Sequence, residues 1–464
     1  MIKVTSYGAA QTVTGSCHLV KIKSIKILID CGMFQGDGIG QMNYDVFGFE
    51  PSKIDYLILT HAHLDHIGRV PKLVKEGFRG KIIATKATKD IAKIMLLDSA
   101  AILKEEYKTL RRKARRRGEE ESITEPLYSE ANVKDVFYKK WITLDYFEEK
   151  KLPQHIVVTL ANAGHIMGSA FVMLDYNEEN KQKRVVFSGD IGSPKRLIIN
   201  APDKIYKAQS LFIESTYGDR QHKPLKESVE EFKNAVIQTI ENDGNIIIPS
   251  FALERTQEIL WLLHQMFDDK KLPKCKIFLD SPLAIKTTKL YNKYPIHLID
   301  ELEIMSSIKD PFSFEWLQTT QTRDQSMMIN KVKERAIIIA GSGMCNGGRV
   351  MQHLKHRLWN PKNAIIFVGY QVKGTLGRNI IDGAEFIKIY GEEIICKANV
   401  FTINGFSAHA DQKELIEWLR PVKNLEHLCL IHGETDKMDI FAQEIKTQLN
   451  IDAHQMEYGI CVEL

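Results

Sequence analysis

The stretch His61-Ala-His63-Leu-Asp65-His66 packs three histidines and an aspartate into six residues. Imidazole and carboxylate together suit zinc, and manganese or iron would also be acceptable to them. So dense a set would be wasteful in a core. The alternation allows His61 and His63 to face one metal while Asp65 and His66 turn to a second. One loop cannot complete two metal shells, so further ligands must come from elsewhere. The candidates are His165 in Asn-Ala-Gly-His-Ile-Met-Gly-Ser, Asp190 in Phe-Ser-Gly-Asp-Ile-Gly and His432 in Ile-His-Gly-Glu. Each ends an apolar run and has a glycine beside it. Asp190 suits a bridge between two cations, because a carboxylate offers two oxygens and the negative charge a cation pair needs. Any one of these residues alone could equally be structural; their shared context argues for ligands.

The elements that must position these groups are short apolar runs bounded by polar loops. Ile25–Asp30, Ile54–Thr60, His155–Leu160, Arg184–Phe187 and Ser210–Ile213 read as buried strands. Asp30, His61, His165, Asp190 and Glu214 sit at or just after run ends, where a rigid strand meets an accessible loop. Further on, Asn245–Pro249, Lys276–Asp280, Ala336–Ala340 and Ala364–Val368 each precede a helical pattern: Glu254–Met266, Ala284–Tyr291, Gly347–Leu358 and Gly374–Ile381. Repeated strand–loop–helix units predict a mainly parallel α/β layer over about 215–390. Strand-like runs return at Val400–Ile403 and at His427–Ile431, which ends in His432. If the late histidines join the early ones, the middle domain is an insertion, giving parts 1–214, 215–390 and 391–464.

The 464 residues suffice for two or three domains, and 44% hydrophobic with 26% charged residues is a globular balance. A net charge of +4 does not by itself identify nucleic acid as a partner. The seven cysteines form no CxxC pair, so neither a thiolate zinc finger nor a disulfide framework is indicated, and free thiols fit a reducing cytosol. No signal peptide and no run of about 18 apolar residues is present, so the expectation is a cytoplasmic protein with no membrane span. Residues 103–122 read as a charged helix or excursion; its basic cluster could contact phosphates, or be a solvated face balanced by the glutamates that follow. His353 and His356, three apart, do not make an HExxH pair and are taken as non-ligands. His18 is taken as structural.

With these motifs in place, the chain resembles metallo-β-lactamase-fold nucleases of the β-CASP family, over nearly all its length. That group includes bacterial and archaeal RNA-processing nucleases and the endonuclease subunit of pre-mRNA 3′-end cleavage. HxHxDH alone marks only the superfamily, which also holds thioesterases and lactonases. Glu214 in Phe-Ile-Glu-Ser-Thr-Tyr-Gly, His409 in Gly-Phe-Ser-Ala-His-Ala-Asp and His432 resemble the three β-CASP motif residues. Ser342-Gly-Met344, Asn346-Gly-Gly-Arg349 and Gly369–Gly377 also resemble the bacterial and archaeal branch. Histidine at the third motif position, where DNA-acting members carry valine, implies an RNA substrate.

The resemblance implies an α/β fold: a lactamase-type αββα sandwich with a parallel α/β β-CASP domain inserted. It implies two zinc ions per chain, one held by His61, His63 and His165, the other by Asp65, His66 and His432, with Asp190 bridging. Two such cations can generate a hydroxide and steady phosphoryl displacement. His409, oriented and kept charged by Glu214, is the candidate acid for the departing 3′-oxygen, and Asp30 braces the histidine loop. Ser342, Gly343, Arg349 and Lys373, with Arg378, are candidate phosphate contacts near a helix start. Phe251 is either a base-stacking or a core residue. The expected activity is hydrolysis of single-stranded RNA entering a narrow cleft, by internal cutting, 5′ trimming or both. A small-molecule hydrolase and a non-catalytic RNA-binding scaffold are the rivals. The chain length leads to the expectation of a minimal two-domain member, without KH modules or a ribonuclease J C-terminal domain, that could form a homodimer.

Overall fold

A computed structural model describes residues 2–36, 38–119, 123–179 and 181–464. Two compact units emerge. The first comprises residues 1–194, 201–221 and 409–464; the second comprises 195–200 and 222–408.

The first unit holds two seven-stranded sheets. One runs, edge to edge, Cys461–Glu463, Ile2–Ser6, His18–Ile22, Ile25–Ile29, Tyr56–Ile58, Lys81–Ala84 and Trp141–Thr143. The other runs Ala453–Gln455, His427–Ile431, Ser210–Glu214, Lys181–Phe187, Ala170–Glu178, Ile156–Asn162 and Glu149–Leu152. Strand alternation explains why they stack. Ile27, Ile29, Ile58 and Ile83 from the first meet Val158, Leu160, Val172, Phe187 and Phe212 from the second in one buried cluster. Full burial of each such side chain stabilises by about 1.5–3 kcal/mol, so this layer carries the fold against the cost of a buried polar site. The outer face of the second sheet, with Val186, Leu211 and Leu430, packs against Leu415, Ile416, Phe441 and Ile445 of the helices Gln412–Leu419 and Thr435–Leu449. On the first sheet, the outward residues Leu28, Leu57 and Ile82 are equally buried, as are Leu73, Ile91 and Leu96 of the helices Val70–Lys75 and Lys86–Arg115. The result is an αββα sandwich.

The second unit is built on a six-stranded sheet in the order Leu317–Thr319, Lys276–Asp280, Ala336–Ala340, Ile246–Pro249, Ala364–Phe367 and Asn399–Thr402, every pair parallel. The runs Ile246-Ile-Ile and Ile337-Ile-Ile are buried at every position. Continuous apolar strands suit a parallel sheet covered on both faces, here by the crossover helices such as Arg255–Asp268 and Pro282–Lys293. Residues 391–408, assigned from sequence to the last part, lie in this unit. The reason is the pairing of Asn399–Thr402 with Ala364–Phe367, which makes it an edge strand of the inserted sheet. The charged stretch at 103–122 continues one 30-residue helix to Arg115; Glu120–Ser122 lie outside the described residues. Among the described residues no helix is long and apolar enough to cross a membrane.

Candidate metal centre

The histidine loop begins where strand Tyr56–Ile58 stops. His61 follows three residues on, His63 stands in extended backbone, and one helical turn, Leu64–Ile67, then swings Asp65 and His66 to the same centre. The loop is held from behind by Asp30, whose φ of 58° turns it out of its strand. The buried Asp30 carboxylate accepts the Thr60 N–H and the Thr60 hydroxyl, both at 2.8 Å, the Ser16 hydroxyl at 3.2 Å, and contacts His66 Nδ1 at 2.7 Å. Close backbone approach reinforces this: Cys31 N–H donates to His66 O and Ser16 N–H to Asp65 O, both at 2.8 Å. A Cβ on Gly32 would lie 1.6 Å from the Asp65 carbonyl oxygen, so only glycine fits there.

His165, Asp190 and His432 reach the same point from three loops of the second sheet. Two donor sets result. His61 Nε2 and His165 Nε2 lie 3.1 and 3.2 Å from His63 Nδ1, and both lie 3.5 Å from Asp190 Oδ2. His66 Nε2 lies 3.3 Å from His432 Nε2; the two are 3.2 and 3.7 Å from Asp190 Oδ1, with Asp65 Oδ2 3.6 Å from His432 Nε2. Asp190 therefore gives one oxygen to each set. Within 4.8 Å of one another lie the ligand atoms of His61, His63, His165 and Asp190, and separately those of Asp65, His66 and His432, and each group could hold a metal ion. The donor chemistry fits zinc: imidazole nitrogens and carboxylate oxygens converge on one place, and buried Asp190 Oδ1 has no hydrogen-bond partner.

Electrostatics point the same way. Burial pushes His61 well below the usual histidine range and His63 down to about 4, favouring the neutral, ligating form. His66 is drawn upward: burial opposes a charge, yet Asp190 and Asp30 overcome it. The positive charge those carboxylates draw onto His66 is the charge a cation would supply. The outer imidazole nitrogens are also held. Thr60 Oγ1 lies 3.1 Å from His61 Nδ1, and Thr216 Oγ1 lies 3.1 Å from His432 Nδ1. Such partners fix ring orientation and tautomer. His432 itself sits at φ 53°, and its N–H donates to the Ala9 carbonyl at 2.7 Å.

Glu214 and His409 stand against this cluster. The Glu214 carboxylate is fully buried, takes the Ile191 N–H at 2.6 Å and lies 3.0–3.1 Å from His409 Nδ1. The other ring nitrogen, His409 Nε2, lies 3.9 Å from Asp190 Oδ2. Burial lowers the His409 pKa, but Glu214 and Asp190 outweigh it and raise it to about 9. The chain thus carries, beside its candidate metal ligands, an imidazolium aimed at the same space.

The candidate phosphate contacts are placed differently. Ser342 and Gly343 lie in the loop before helix Val350–Arg357, but the amides of Ser342, Cys345, Asn346 and Val350 are already bonded within that loop. Arg349 is committed to the Asp280 carboxylate at 2.7 Å and to the carbonyls of Thr320 and Gln321 at 2.9 and 2.8 Å. Arg378 pairs with Asp382 at 2.9 Å, whereas Lys373 is exposed. Phe251 is 44% exposed, with Gly343 against its ring. His18 is buried, bonded to the Ser6 hydroxyl, and pushed by burial down to about 3, as befits a structural residue. His353 is no part of the metal cluster; it lies 2.6 Å from Asp280. Sequence reasoning missed Thr60, Thr216 and the Asp280–His353 pair. Thr60 and Thr216 were detectable as hydroxyls adjoining motif residues; the Asp280 partners, far apart in the chain, carried no signal.

An αββα sandwich with an HxHxDH loop and a carboxylate shared between two donor sets defines a metallo-β-lactamase-type hydrolase. Residues 11–172 match the metallo-beta-lactamase superfamily, 256–380 the Beta-Casp domain, and 393–456 the Zn-dependent metallo-hydrolase RNA specificity domain. The chain is 36% identical over 438 residues to ribonuclease TTHA0252 of Thermus thermophilus, covering 94% of each. It is 32% identical over 455 residues to an RNase J-like protein of Methanocaldococcus jannaschii, covering 97% of each. It is 31% identical over 457 residues to transcription termination factor FttA of the same organism, covering 96% of this chain and 69% of the relative. A crystal structure of a protein of unknown function from Enterococcus faecalis superposes over the full length of both chains with a TM-score of 0.57 at 13% identity, a likeness of fold alone. The chain belongs to the β-CASP family of metallo-β-lactamase-fold proteins.

Proposed function

We propose that this chain is a zinc-dependent ribonuclease that hydrolyses phosphodiester bonds of single-stranded RNA. The observation that carries the reading is the division of the two Asp190 oxygens between two ligand sets, with the Glu214-held His409 beside them. His61, His63 and His165 would hold one zinc, Asp65, His66 and His432 the other, and Asp190 both. When bound, the cations supply a water nucleophile at neutral pH and neutralise charge on the scissile phosphate.

The chain's own residues do the rest. Asp30, Thr60 and Thr216 lock the imidazoles so that their ligating nitrogens face inward. His409, protonated, gives its Nε2 proton to the departing 3′-oxygen. Glu214 accepts the Nδ1 hydrogen bond, which fixes the ring and holds the charge that makes His409 an acid. Lys373 and the Ser342–Gly343 segment are the proposed phosphate contacts; Arg349 acts through Asp280 instead, shaping that segment. The names of the relatives and the RNA specificity match support RNA over DNA or a small ester. The reading extends to internal cutting, 5′ trimming or both, in the cytoplasm, by a chain that could act as a homodimer.

The test incubates zinc-loaded protein with 5′-labelled and internally labelled RNA, with DNA of matching sequence, and with Asp65→Ala and His409→Ala variants alongside. RNA-selective cleavage absent from both variants supports the reading, and the product ladder separates internal cuts from trimming. Zinc-replete protein that leaves RNA intact but hydrolyses a thioester or lactone contradicts it.

A further inference from the structure

The helix Lys86–Arg115 has an end that the catalytic reading leaves unused. Its N-terminal half is buried through Ala87, Thr88, Ile91, Ala92, Leu96, Ser99 and Ala100. Beyond Ala100 its residues are half-buried or exposed, apart from Ala114. Residues 104–117 carry eight lysines and arginines against two glutamates, a net +6 that exceeds the +4 of the whole chain. At 3.6 residues per turn, Lys104, Lys108, Arg111 and Arg115 follow one another at i, i+4, i+7 and i+11, so they form one stripe. Arg112 and Arg116 flank it. Glu105, paired with Lys108 at 2.7 Å, and Glu106 lie to one side.

Two simpler explanations fall short. Cations at a helix C-terminus complement the macrodipole, but that effect fades within the last turn, and the stripe starts three turns earlier at Lys104. A solvated face usually alternates the two signs of charge, whereas acidic residues are absent from 107–117; the glutamates at 119–121 follow the stripe in sequence, and Glu119 pairs with Arg117, outside it, at 3.2 Å.

The root of the helix gives the stripe a defined place. The hydroxyls of Thr85 and Thr88 both donate at 2.8 Å to the carbonyl of Gly168, three residues past His165. At about 1.5 Å per residue, the stripe lies about 27–44 Å along the axis from that anchored end. A rigid helix fixed to a metal-ligand loop therefore holds a row of cations at a set distance from the centre.

We propose that this stripe is an anchoring surface for the phosphodiester backbone of the RNA, outside the catalytic centre, binding without regard to base sequence. The proposal rests on the ribonuclease reading only for the identity of the polyanion. Contacts to phosphate alone carry no sequence information and release counterions, so they are read by salt dependence. A trinucleotide, about 10 Å long at the 3.4 Å rise of a stacked strand, falls short of the roughly 27 Å of helix between the anchored end and the start of the stripe. The anchor should thus matter for long strands and be silent for short ones.

The test compares the full chain carrying Arg111→Gln, Arg112→Gln, Arg115→Gln and Arg116→Gln with its parent. Both carry His409→Ala for the binding arm, to block turnover of a fluorescein-labelled 30-nucleotide RNA. The expected result is Kd raised about tenfold or more, and a slope of log affinity against log salt flattened by about 0.7 per lost contact. Single-stranded DNA of the same length competes for the parent. The matching four Arg→Lys changes keep the slope, and Lys104→Gln with Lys108→Gln gives a smaller shift of the same sign. In the His409-containing background, kcat/KM for a trinucleotide is unchanged and that for the 30-mer falls. Kd and slope within twofold of the parent, with an unchanged melting curve, overturn the proposal, even if the stripe captures an acidic protein. Weakened binding in a protein that cleaves no RNA upholds the anchor and refutes the ribonuclease reading instead.

Discussion

Two buried aspartates at strand ends, Asp190 and Asp280, each gather histidine, and they do opposite things. Asp280 is saturated. Its oxygens take the Thr320 hydroxyl at 2.5 Å and the Ser326 hydroxyl at 2.6 Å, and lie 2.7 Å from Arg349 Nη1 and 2.6 Å from His353 Nε2. Despite its burial, these donors hold its carboxyl below the usual carboxylate range. Asp190 has five imidazoles within 4 Å, yet Oδ1 receives no hydrogen bond. Donors aimed at a carboxylate close a site; lone pairs converging beside one open it to a cation. Histidine with aspartate is therefore not a metal signature in itself; the direction of the lone pairs is.

The largest expected effect separates the two. Asp190→Asn removes the proposed shared ligand, so bound zinc measured by mass spectrometry is expected to fall and RNA cleavage to drop by at least about 10³-fold. Asp280→Asn leaves zinc content unchanged, because its partners are Thr320, Ser326, Arg349 and His353 and none of the candidate ligands. Zinc loss in the second variant, or full loading in the first, would break the contrast.

Next, His409→Ala lowers kcat by about 10²–10⁴ while both metal sites stay filled, as expected of a proton donor and not a ligand. Glu214→Gln sharpens the point through pH. Since Glu214 raises the His409 pKa, its loss moves the basic limb of kcat to lower pH; an unmoved limb would detach the pair from the chemistry.

For stability the order reverses. Asp280→Ala strands Arg349 and His353 and costs about 3–5 kcal/mol, read as a lower midpoint in denaturant. The sign with pH follows from a carboxylate whose folded pKa is depressed. Its contribution is present above the unfolded value near 4 and lost as pH falls below that toward the folded one. Acid unfolding of the parent should therefore be steeper below pH 4 than that of Asp280→Asn. The smallest effect is Thr216→Val, which frees His432 Nδ1 and costs about tenfold in zinc affinity by competition with a chelator.

What the sequence made legible was local. Six of the seven proposed ligands are adjacent in the histidine loop or end apolar runs that proved to be strand ends, and the seventh, His165, lies in the glycine-flanked loop after one. The parallel layer was readable because Ile246–Ile248 and Ile337–Ile339 are continuous and β-branched. Less local features were hidden. Strand Ala170–Glu178 was not singled out; its polar residues, Asp175 and Asn177, interrupt the apolar pattern, and Asp175 is satisfied by Arg184 at 2.7 Å, a cross-strand pairing. The N-terminal strands Ile2–Ser6 and His18–Ile22 are short and separated by an irregular loop. Asn399–Thr402 belongs to the inserted sheet only through its pairing with Ala364–Phe367. Arg349 looked like a phosphate contact because its destination, Asp280, is 69 residues away.

The most direct measurement is a zinc titration of metal-stripped protein, scoring cleavage of internally labelled single-stranded RNA at each equivalent and counting bound metal by native mass spectrometry. Two cations sharing Asp190 predict a stoichiometry of two, with cleavage rising on the second equivalent, and Asp65→Ala stopping at one zinc without cleavage. Full cleavage at one equivalent, or intact RNA at two, would contradict it.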